Sequence, residues 1–375
     1  MRIVVAIDSF KGSLTSMQAG QAVKDAALKA FKNAQVSVCP LADGGEGTVD
    51  ALSAGLGGRK RTLAVTGPLG APVEAEYCIL SNQTAVIEMA AAAGLPLVPE
   101  GQRNPMETTT YGVGELIKDA IAQGCRHFIV GIGGSATNDG GVGMLSALGY
   151  RFLDAAGKEI PLGAKGLETL KTVSVEGVLP ELQDCTFRVA CDVNNPLCGE
   201  NGCSAVYGPQ KGATPTDITR MNGWLASFAA LTKDLFHDAN ENYPGAGAAG
   251  GLGFAFLAYT NACLEPGIQI ILEETKLENL ICDADLVVTG EGRLDSQTVM
   301  GKAPIGVARL AKKYDKKVIA FSGCVAPGAE VCNDQGIDAY FPILRNVTTL
   351  EEALNPEIAY QNLTDTAYQV FRLLL

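Results

Sequence analysis

Three glycine-containing loops combine acidic and hydroxyl residues directly after apolar runs. The densest spans residues 131–140 and includes Asn138 and Asp139. Its backbone N–H groups suit a phosphate, while the two polar side chains could hold Mg²⁺ or orient a hydroxyl. The other two loops are residues 42–48 and 289–297. This arrangement is typical of an enzyme that transfers a phosphoryl group to a small molecule.

The composition predicts a globular protein with an acidic surface. The chain has 375 residues, 47% of them hydrophobic, and its 29 basic and 41 acidic residues give a formal charge of -12. This charge argues against a nucleic-acid or anionic-membrane surface, so an anionic substrate would need a local positive site. No apolar run approaches the ~20 residues of a membrane span, and Arg2 enters a strand at once. We therefore expect a cytoplasmic protein without a signal peptide.

Histidine is scarce, and the cysteines show no disulfide or metal pattern. His127 opens an apolar strand and His237 lies in a helical stretch, and nothing places either beside a nucleophile. The 11 cysteines include no Cys-x-x-Cys pair, so most are expected to be small buried hydrophobic residues. Histidine-based catalysis and histidine-rich metal sites are therefore disfavoured. Acid–base work falls to Asp, Glu or Lys.

Short apolar runs alternate with helical patterns, which is typical of a parallel α/β architecture. Residues 2–7 predict the first strand, and Thr15 predicts the N-cap of the helix that follows. Over residues 60–88 the pattern changes to β segments of the antiparallel-hairpin kind. The small-residue tract 245–253 continues into an apolar run, which favours tight packing over a flexible linker.

These patterns predict an α/β protein with two α/β domains. A Rossmann-like or flavodoxin-like domain with a mainly parallel sheet is assigned to residues 1–75 and 284–375, and residues 105–148 could add a strand and helices to it. A mixed-sheet α/β domain, residues 76–283, is inserted into it. Strands that end at Asp8, Asp43, Gly131, Gly290 and Gly323 would bring their loops to one sheet edge, where open α/β sheets bind ligands. The active site is therefore expected in the cleft between the domains.

Two generic nucleotide motifs do not account for the chain. No segment matches the P-loop, because Gly301-Lys302 is followed by alanine. Residues 131–136 match the looser dinucleotide fingerprint, but Asp154, the acidic residue nearest the expected position, falls in the turn of a hairpin predicted over residues 150–160. Walker-type chemistry is therefore excluded, and a nicotinamide dehydrogenase is disfavoured.

Five motifs span the whole chain in one order: residues 8–14, 42–48, 131–143, 191–196 and 289–297. Each alone is a weak signal, but together they resemble the glycerate kinase type-1 family. The resemblance implies ATP-dependent phosphorylation of D-glycerate with Mg²⁺, at the 2-hydroxyl, to give 2-phospho-D-glycerate and ADP in glyoxylate, glucarate or galactarate breakdown. It also implies two α/β domains, one of them Rossmann-like, with the cleft between them.

Two alternative functions stay open at this point. One is a kinase that makes 3-phosphoglycerate or acts on another small hydroxy acid, because motifs do not define the shape of a pocket. The other is a non-catalytic sensor of nucleotide or glycerate, which the clustered carboxylates disfavour. The expected partners are D-glycerate and ATP, with no nucleic acid and no membrane, and a homo-oligomer stays open.

Glycerate and ATP are both anionic, so the site needs cations. Lys11 is the first candidate, because it follows Asp8 in a strand-to-helix loop. Arg293 is the second, since its fork can grip a carboxylate or phosphate through two hydrogen bonds. Lys302 and Lys211 are weaker candidates.

Four carboxylates could accept the glycerate hydroxyl proton or orient that hydroxyl: Asp192, Asp295, Asp43 and Asp8. Asp192 and Asn194 can present two oxygens to one Mg²⁺, although Asp is also common in such turns for structural reasons. Asp295 forms a similar cluster with Gln297, and capping of a helix near Thr298 is an alternative role. The sequence does not divide the base and metal roles among these carboxylates.

The predicted site follows from these assignments. Lys11, Asp192 and Asp295 are predicted to be catalytic, and Asp192 and Asp139 to bind metal. The predicted substrate- and nucleotide-binding residues are Asp8, Ser9, Asp43, Gly44, Gly45, Glu46, Gly133, Gly134, Ser135, Thr137, Asn138, Asn194, Glu291, Arg293 and Gln297. Structural alternatives are a tight turn at residues 43–46 and helix caps at Ser135 and Thr137. Tyr111, Trp224, Phe254 and Phe256 are expected in the core, which leaves the adenine pocket unassigned.

Overall fold

The computed structural model describes residues 1–42 and 44–375, with Met300 described by its backbone alone. Asp43, a predicted site residue, lies outside the described residues. The strands are β1 Arg2–Val5, β2 Gln35–Val38, β3 Gly58–Thr66, β4 Pro72–Leu80, β5 Thr84–Glu88, β6 His127–Gly131, β7 Arg151–Leu153, β8 Thr172–Ser174, β9 Thr186–Ala190, β10 Ala262–Glu265, β11 Leu286–Leu294, β12 Lys317–Val325 and β13 Ala339–Pro342.

The α-helices alternate with these strands over most of the chain. They are α1 Ser16–Ala30, α2 Thr48–Leu56, α3 Ala90–Ala93, α4 Tyr111–Ala122, α5 Val142–Ala147, α6 Cys203–Tyr207, α7 Pro215–Leu235, α8 Ala248–Tyr259, α9 Gly267–Glu274, α10 Leu277–Cys282, α11 Ala303–Lys312, α12 Val331–Asp334, α13 Leu350–Leu354 and α14 Pro356–Arg372. Among the described helices, none combines the length and apolarity needed to cross a membrane.

The first compact unit comprises residues 1–42, 50–57 and 268–375 and is built on a wholly parallel sheet. Its strand order is β13-β12-β11-β1-β2. Counted within the unit, this is the 2-1-3-4-5 order of flavodoxin-like sheets. The predicted flavodoxin-like parallel sheet is therefore confirmed.

Helices cover both faces of the first sheet. On one face, Ile3 and Val288 share a core with α1 and α14, which contribute small residues such as Ala22 and Ala367. Strand residues between them, such as Val287, are equally buried, and α11 packs on β11 and β12. Burial on both faces explains why these strands are continuously apolar in sequence. Thr15 caps α1 as predicted, in a capping box with Gln18.

The second unit comprises residues 44–49 and 58–267 and has a mixed sheet in the order β10-β9-β6-β5-β4-β3. Strands β10, β9, β6 and β5 are parallel, whereas β5, β4 and β3 form the antiparallel hairpins predicted for residues 60–88. The prediction that the chain contains one mixed sheet as well as one parallel sheet is confirmed. Its core includes the stacked rings of Phe128 and Phe187, with centroids 4.6 Å apart, and the fully buried Phe254 and Phe256.

The limits of the units differ from the predicted domains. The predicted junctions lie at residues 75/76 and 283/284. The observed boundaries between the units come earlier, at residues 57/58 and 267/268. The reason at the first junction is the hairpin, since β3 pairs with β4 along its whole length and belongs to the second unit. Residues 105–148 also lie in the second unit, because β6 pairs with β5 and β9.

Two predicted elements have different partners or limits. The hairpin predicted over residues 150–160 forms only an isolated bridge between Leu153 and Glu159, and β7 pairs instead with β8. Strand β11 continues to Leu294, through a motif expected to be a loop. A Cβ added to Gly290 would lie 2.0 Å from the Phe321 carbonyl oxygen, so β12 can approach this part of β11 only because glycine stands there.

Candidate active site

The first unit brings two of the five motifs together where its strand order reverses, between β1 and β11. Asp8 follows β1; its backbone N donates to the Gly290 oxygen at 2.9 Å, and its Oδ1 accepts from the Ser9 backbone N at 2.7 Å. A Cβ added to Gly292 would lie 3.4 Å from the Lys11 backbone nitrogen. The predicted residues Asp8, Ser9 and Lys11 therefore adjoin the β11 motif, at the position where open α/β sheets bind ligands.

Glu291 is the buried carboxylate of the β11 motif. Its Oε1 accepts a 2.7 Å hydrogen bond from Thr298 Oγ1, and its Oε2 lies 3.4 Å from Lys302 Nζ. Burial raises the pKa of Glu291, and the contacts with Thr298 and Lys302 oppose that rise. Lys302, a weak candidate cation in the sequence, is therefore committed to neutralising Glu291.

Asp295 and Arg293 form an ion pair at the end of β11. Arg293 Nε lies 3.3 Å from Asp295 Oδ2, and the Arg293 side chain is 65% exposed. Asp295 Oδ1 also accepts from the Gln297 backbone N at 2.9 Å, just before the 3₁₀-helix Thr298–Met300. This contact closes an Asx turn at Asp295 and is not a helix cap, because the 3₁₀-helix has Gln297 at its N-cap position and no side-chain capping hydrogen bond. Gln297 itself is exposed.

In the second unit, three loops meet at the carboxyl edge of β5, β6 and β9. A Cβ on Gly131 would lie 2.2 Å from the Gly44 carbonyl oxygen, and one on Gly44 would lie 2.3 Å from the Cβ of Ala190. A Cβ on Gly133 would lie 3.4 Å from the Gly45 Cα. Only glycine allows backbones to approach so closely. The segment 44–49 therefore lies directly against the ends of β6 and β9.

Glu88, at the end of β5, ties the same segment to the sheet. Its Oε1 accepts a 2.8 Å hydrogen bond from the Val49 backbone N, near the start of α2. Thr48 Oγ1 donates to the Gly45 carbonyl oxygen at 2.8 Å, which closes a turn around Glu46. The Glu46 side chain is exposed on that turn. This turn spans residues 45–48, whereas the turn considered for residues 43–46 includes Asp43, which lies outside the described residues; Glu46 is left accessible to a ligand.

The 131–140 loop leaves β6 with its glycines exposed and its polar residues buried. Gly133 and Gly134 are exposed, and Gly134 has a φ of 72°, in the left-handed region. The Gly134 carbonyl accepts from Leu95 N at 2.8 Å, and Ala136 N donates to the Ala93 oxygen at 2.9 Å. These bonds fix the loop against the short helix α3, so its exposed glycine backbone is held in one conformation.

Lys211 lies behind this loop and is only 2% exposed. It ends the 3₁₀-helix Pro209–Lys211, and its Nζ donates to Ser135 Oγ at 2.8 Å and to the Thr137 carbonyl at 2.7 Å. Burial lowers the pKa of Lys211 to about 8, and the nearby Cys203 and Asp139 oppose that fall. The loop thus has a positive charge directly beneath it.

Asp139 is buried and its carboxylate organises the second half of the loop. It accepts from Thr110 N at 2.8 Å, Thr110 Oγ1 at 2.9 Å, Gly141 N at 3.1 Å and Gly143 N at 3.3 Å. Burial raises the pKa of Asp139, and these hydrogen bonds oppose that rise. Both carboxylate oxygens are engaged by donors, which is the environment of a residue that positions backbone.

Thr137 and Asn138 point into the second unit's interior. Asn138 Nδ2 donates to Ser204 Oγ at 2.8 Å. A Cβ on Gly250 would lie 2.1 Å from the Thr137 carbonyl oxygen, so the tract 245–253 packs backbone against backbone on this loop, as predicted. Thr137 Oγ1 and Asn138 Oδ1 are buried and have no hydrogen-bond partner among the described residues.

Asp192 and Asn194 lie on the exposed loop that follows β9. Asp192 Oδ1 accepts from the Gly267 backbone N at 3.1 Å, which orients the carboxylate. The loop is held from behind by Asn195, whose Oδ1 accepts from the Tyr207 hydroxyl at 2.6 Å. Because Ala190 touches Gly44, the Asp192 loop begins beside segment 44–49.

The sequence predicts that Asp192 and Asp139 bind Mg²⁺. Within residues 1–42 and 44–375, no group of three or more His, Cys, Asp or Glu side chains could hold a metal ion. Mg²⁺ commonly uses one or two carboxylates together with water and substrate phosphates. The exposed carboxylate of Asp192 and the exposed amide of Asn194, on one loop, fit that kind of site.

Sequence reasoning underrated three residues of the second unit. Lys211 ranked as a weak candidate, and Glu88 and Thr110 were considered only as possible cleft residues, without an assigned role. The available signal for Lys211 was its position between Pro209 and Gly212, whose φ of 94° requires glycine and turns the chain sharply. For Glu88, the signal was a carboxylate directly after an apolar strand.

Comparison with known proteins assigns a family. The model of the glycerate kinase family matches residues 3–375. A protein named glycerate 2-kinase from Escherichia coli (strain K12) is 48% identical over 364 residues, which cover 97% of this chain and 95% of that protein. A protein named glycerate kinase from Bacillus subtilis (strain 168) is 47% identical, covering 97% of this chain and 96% of that one.

A solved structure agrees with the observed fold. The crystal structure of a candidate glycerate kinase 2 from Salmonella typhimurium LT2 superposes with a TM-score of 0.92 and 46% sequence identity. The match covers 100% of this chain and 98% of that chain. The family resemblance found in the five motifs is thereby confirmed.

Proposed function

The chain belongs to the glycerate kinase family, whose members transfer a phosphoryl group to an alcohol, and from this premise we propose that it converts ATP and D-glycerate to ADP and 2-phospho-D-glycerate. The proposal specifies the D-isomer, the 2-hydroxyl as acceptor and Mg²⁺ as the metal.

The observation that carries the proposal is the loop cluster at the carboxyl edge of the second sheet. Segments 44–49, 131–140 and 191–196 come from distant parts of the sequence. Glycine contacts nevertheless bring segment 44–49 against the ends of β6 and β9, which the other two segments follow. The cluster offers exposed glycine backbone, a buried cation and an exposed carboxylate. Phosphoryl transfer needs a phosphate cradle, a positive charge and a residue that orients the attacking hydroxyl.

We assign the phosphate-binding role to the exposed backbone at Gly133 and Gly134, supported by the charge of Lys211. Preorganised donors and charges stabilise a transferring phosphoryl group without reorganising during the reaction. Asp192 orients the 2-hydroxyl of glycerate and takes up its proton. Its hydrogen bond from Gly267 N supports this role, because it fixes the direction of the carboxylate.

Mg²⁺ would be held by Asp192 or Asn194 together with phosphate oxygens and water. When bound, it would neutralise the negative charge of the ATP phosphates. Asp139, the other predicted ligand, is assigned a positioning role, because its oxygens accept hydrogen bonds from Thr110, Gly141 and Gly143.

In the first unit, Lys11 and Arg293 are assigned to the carboxylate or phosphate groups of the substrates. Both are exposed next to the switch point of a flavodoxin-like sheet. Asp295 helps to position Arg293 through their ion pair. The Gln297 backbone N–H in turn holds the Asp295 carboxylate by closing a turn. Asp8, Ser9 and Glu291 line the same strand ends.

Steady-state ADP release with Mg²⁺-ATP and a panel of acceptors tests the substrate. We expect the highest kcat/KM for D-glycerate, lower values for glycolate and tartronate, and a very low value for glycerol, which lacks the carboxylate. The Asp192→Asn variant, purified by the same procedure, controls for contaminating kinases. Equal turnover of glycerol and D-glycerate would contradict the hydroxy-acid assignment, and no turnover of any acceptor would favour a sensor.

A further inference from the structure

Lys211 controls the direction in which the Ser135 hydroxyl can donate. Lys211 Nζ lies 2.8 Å from Ser135 Oγ and 2.7 Å from the Thr137 carbonyl oxygen. An ammonium group has donors and no acceptor. Ser135 Oγ must therefore accept from Lys211, and its own hydrogen is left to donate elsewhere.

The surroundings of Ser135 indicate where that hydrogen points. In the part of the chain that the structure describes, Ser135 Oγ has Lys211 as its one side-chain partner. Ser135 keeps 8% of its surface exposed and directly follows Gly133 and Gly134, which are both exposed. The hydroxyl hydrogen is thus available on the open side of the loop, where an anionic oxygen would accept it.

We propose that Lys211 is a positioning residue that holds the Ser135 hydroxyl as a donor to a phosphate oxygen of ATP on the 131–140 loop. The inference rests on the proposed function, since that function supplies the phosphate. Lys211 does not touch the substrate itself. It acts through Ser135 and through the Thr137 carbonyl, which fixes the loop.

A purely structural role explains the burial of Lys211 poorly. Among the described residues, Lys211 Nζ has a hydroxyl and a carbonyl as hydrogen-bond partners and no ion pair, so burying this ammonium is unfavourable, and an apolar side chain could occupy the same space. The pKa of Lys211, lowered to about 8, lies below the roughly 10.4 of an unfolded lysine. Between those values the unfolded chain binds more protons, so stability from this group rises with pH. The charge therefore destabilises the fold at neutral pH.

Loss of the Lys211 proton reverses the geometry at Ser135. A neutral amine can accept from Ser135, so the hydroxyl would turn inward and leave the phosphate without its donor. In the described part of the chain, the ionisable groups that act on Lys211 are Asp139 and Cys203. Burial raises the pKa of Cys203 to about 11, so this thiol stays neutral while Lys211 titrates. Phosphate binding should accordingly weaken as pH rises through about 8, while stability does not fall.

Calorimetric titration with Mg²⁺-ATP, without glycerate, tests the inference in the full chain. The variants are Lys211→Met, Ser135→Ala and the double substitution, with Lys165→Met as a matched control. Lys165 is an exposed lysine of the same unit, paired with Glu107. We expect each single substitution to raise the Kd about ten- to a hundredfold, as for one hydrogen bond to a charged group. The double variant should bind no more weakly than either single one.

The pH dependence adds a reading that structural damage would not reproduce. The Kd of the unsubstituted protein should rise about tenfold between about pH 7 and about pH 9.5, and that of Ser135→Ala should change much less, because this variant loses only the charge behind the loop and has no hydroxyl donor to lose. Thermal unfolding of Lys211→Met should show an unchanged or higher Tm. If Lys211→Met unfolds, the inference is still tested by comparing the pH dependence of the Kd for Ser135→Ala with that for the unsubstituted protein.

Three results would overturn the inference: unchanged ATP binding by Lys211→Met, additive losses in the double variant, or a Ser135→Ala profile that keeps the pH dependence. Failure of the proposed function gives a different result. In that case the unsubstituted protein would bind ATP with the expected variant pattern but release no ADP with D-glycerate.

Discussion

The two units hold their positive charges in different ways. In the first unit, the candidate cations Lys11 and Arg293 are exposed on long side chains beside the strand ends. In the second, the cation is Lys211, which is buried and bonded to the loop from behind. An exposed side chain can follow a moving ligand, whereas a buried charge fixes the backbone before the ligand arrives. The comparison indicates that the second unit is preorganised and that the first adapts.

The largest expected effect is on the buried framework of the second unit. Asp139→Ala should lower the free energy of unfolding by about 4 kcal/mol, because the donors of Thr110, Gly141 and Gly143 lose a buried acceptor. Urea denaturation followed by circular dichroism measures the change. Asp139→Asn, which keeps one carbonyl oxygen, is the matched control and should lose less. A loss below about 1 kcal/mol for the alanine variant would show that Asp139 does not hold the loop, and it would contradict the description of the second unit as preorganised.

Asp192 is an exposed group of the second unit, and we expect its substitution to affect chemistry without affecting the fold. Asp192→Asn should lower kcat by at least ~100-fold, because the amide cannot take up the hydroxyl proton. The variant retains an oxygen for the Gly267 N–H, so its Tm should match that of the unsubstituted protein. Glu200→Gln, an exposed substitution on a neighbouring loop, is the control. Normal turnover by Asp192→Asn would exclude Asp192 from the mechanism.

The glycine contacts can be broken directly. Gly131→Ala would place a Cβ 2.2 Å from the Gly44 carbonyl oxygen, so segment 44–49 must move. We expect a loss of about 2 kcal/mol in stability, as for overpacking, and a rise in KM. Gly124→Ala, where a Cβ meets nothing within 4 Å, isolates the effect of contact, although its φ of 93° adds strain. An unchanged KM in Gly131→Ala would indicate that segment 44–49 does not contribute to substrate binding.

The smallest expected effect belongs to the first unit. Lys11→Met should raise the KM for D-glycerate or ATP about tenfold, the value of one charge-assisted contact that adapts to its ligand, with little change in kcat. Initial rates at varied concentrations of each substrate measure it. Lys24→Met, a lysine on α1, is the matched control. Unchanged kinetics would assign Lys11 to the solvated surface, and a large fall in kcat would make the first unit as preorganised as the second.

The sequence predicted those features that depend on local chemistry. Thr15 was identified as an N-cap because a hydroxyl precedes an apolar periodic segment, and the structure adds its partner Gln18. The change to antiparallel strands over residues 60–88 was visible because turn signals follow short β segments. The strand-to-loop junctions at Asp8 and Gly131 were visible as abrupt ends of apolar runs.

What the sequence did not reveal depends on contacts between distant segments. Residues 290–294 were predicted to be a loop because of their glycines, but pairing with β12 extends the strand through them. The membership of residues 44–49 in the second unit depends on Gly44 contacting Ala190, far along the chain. The burial of Lys211 was not predicted because lysines are almost always exposed. Its partners, Ser135 and Thr137, lie in a motif whose hydroxyls were assigned to phosphate.

Proton-coupled ³¹P NMR of the product formed from Mg²⁺-ATP and D-glycerate identifies which hydroxyl of glycerate is phosphorylated. Phosphorus on the 2-oxygen couples to the single proton of C2, and phosphorus on the 3-oxygen couples to the two protons of C3. We expect a phosphoester doublet, from 2-phospho-D-glycerate. A triplet would contradict the 2-hydroxyl as acceptor, and no phosphoester signal would contradict the kinase assignment itself.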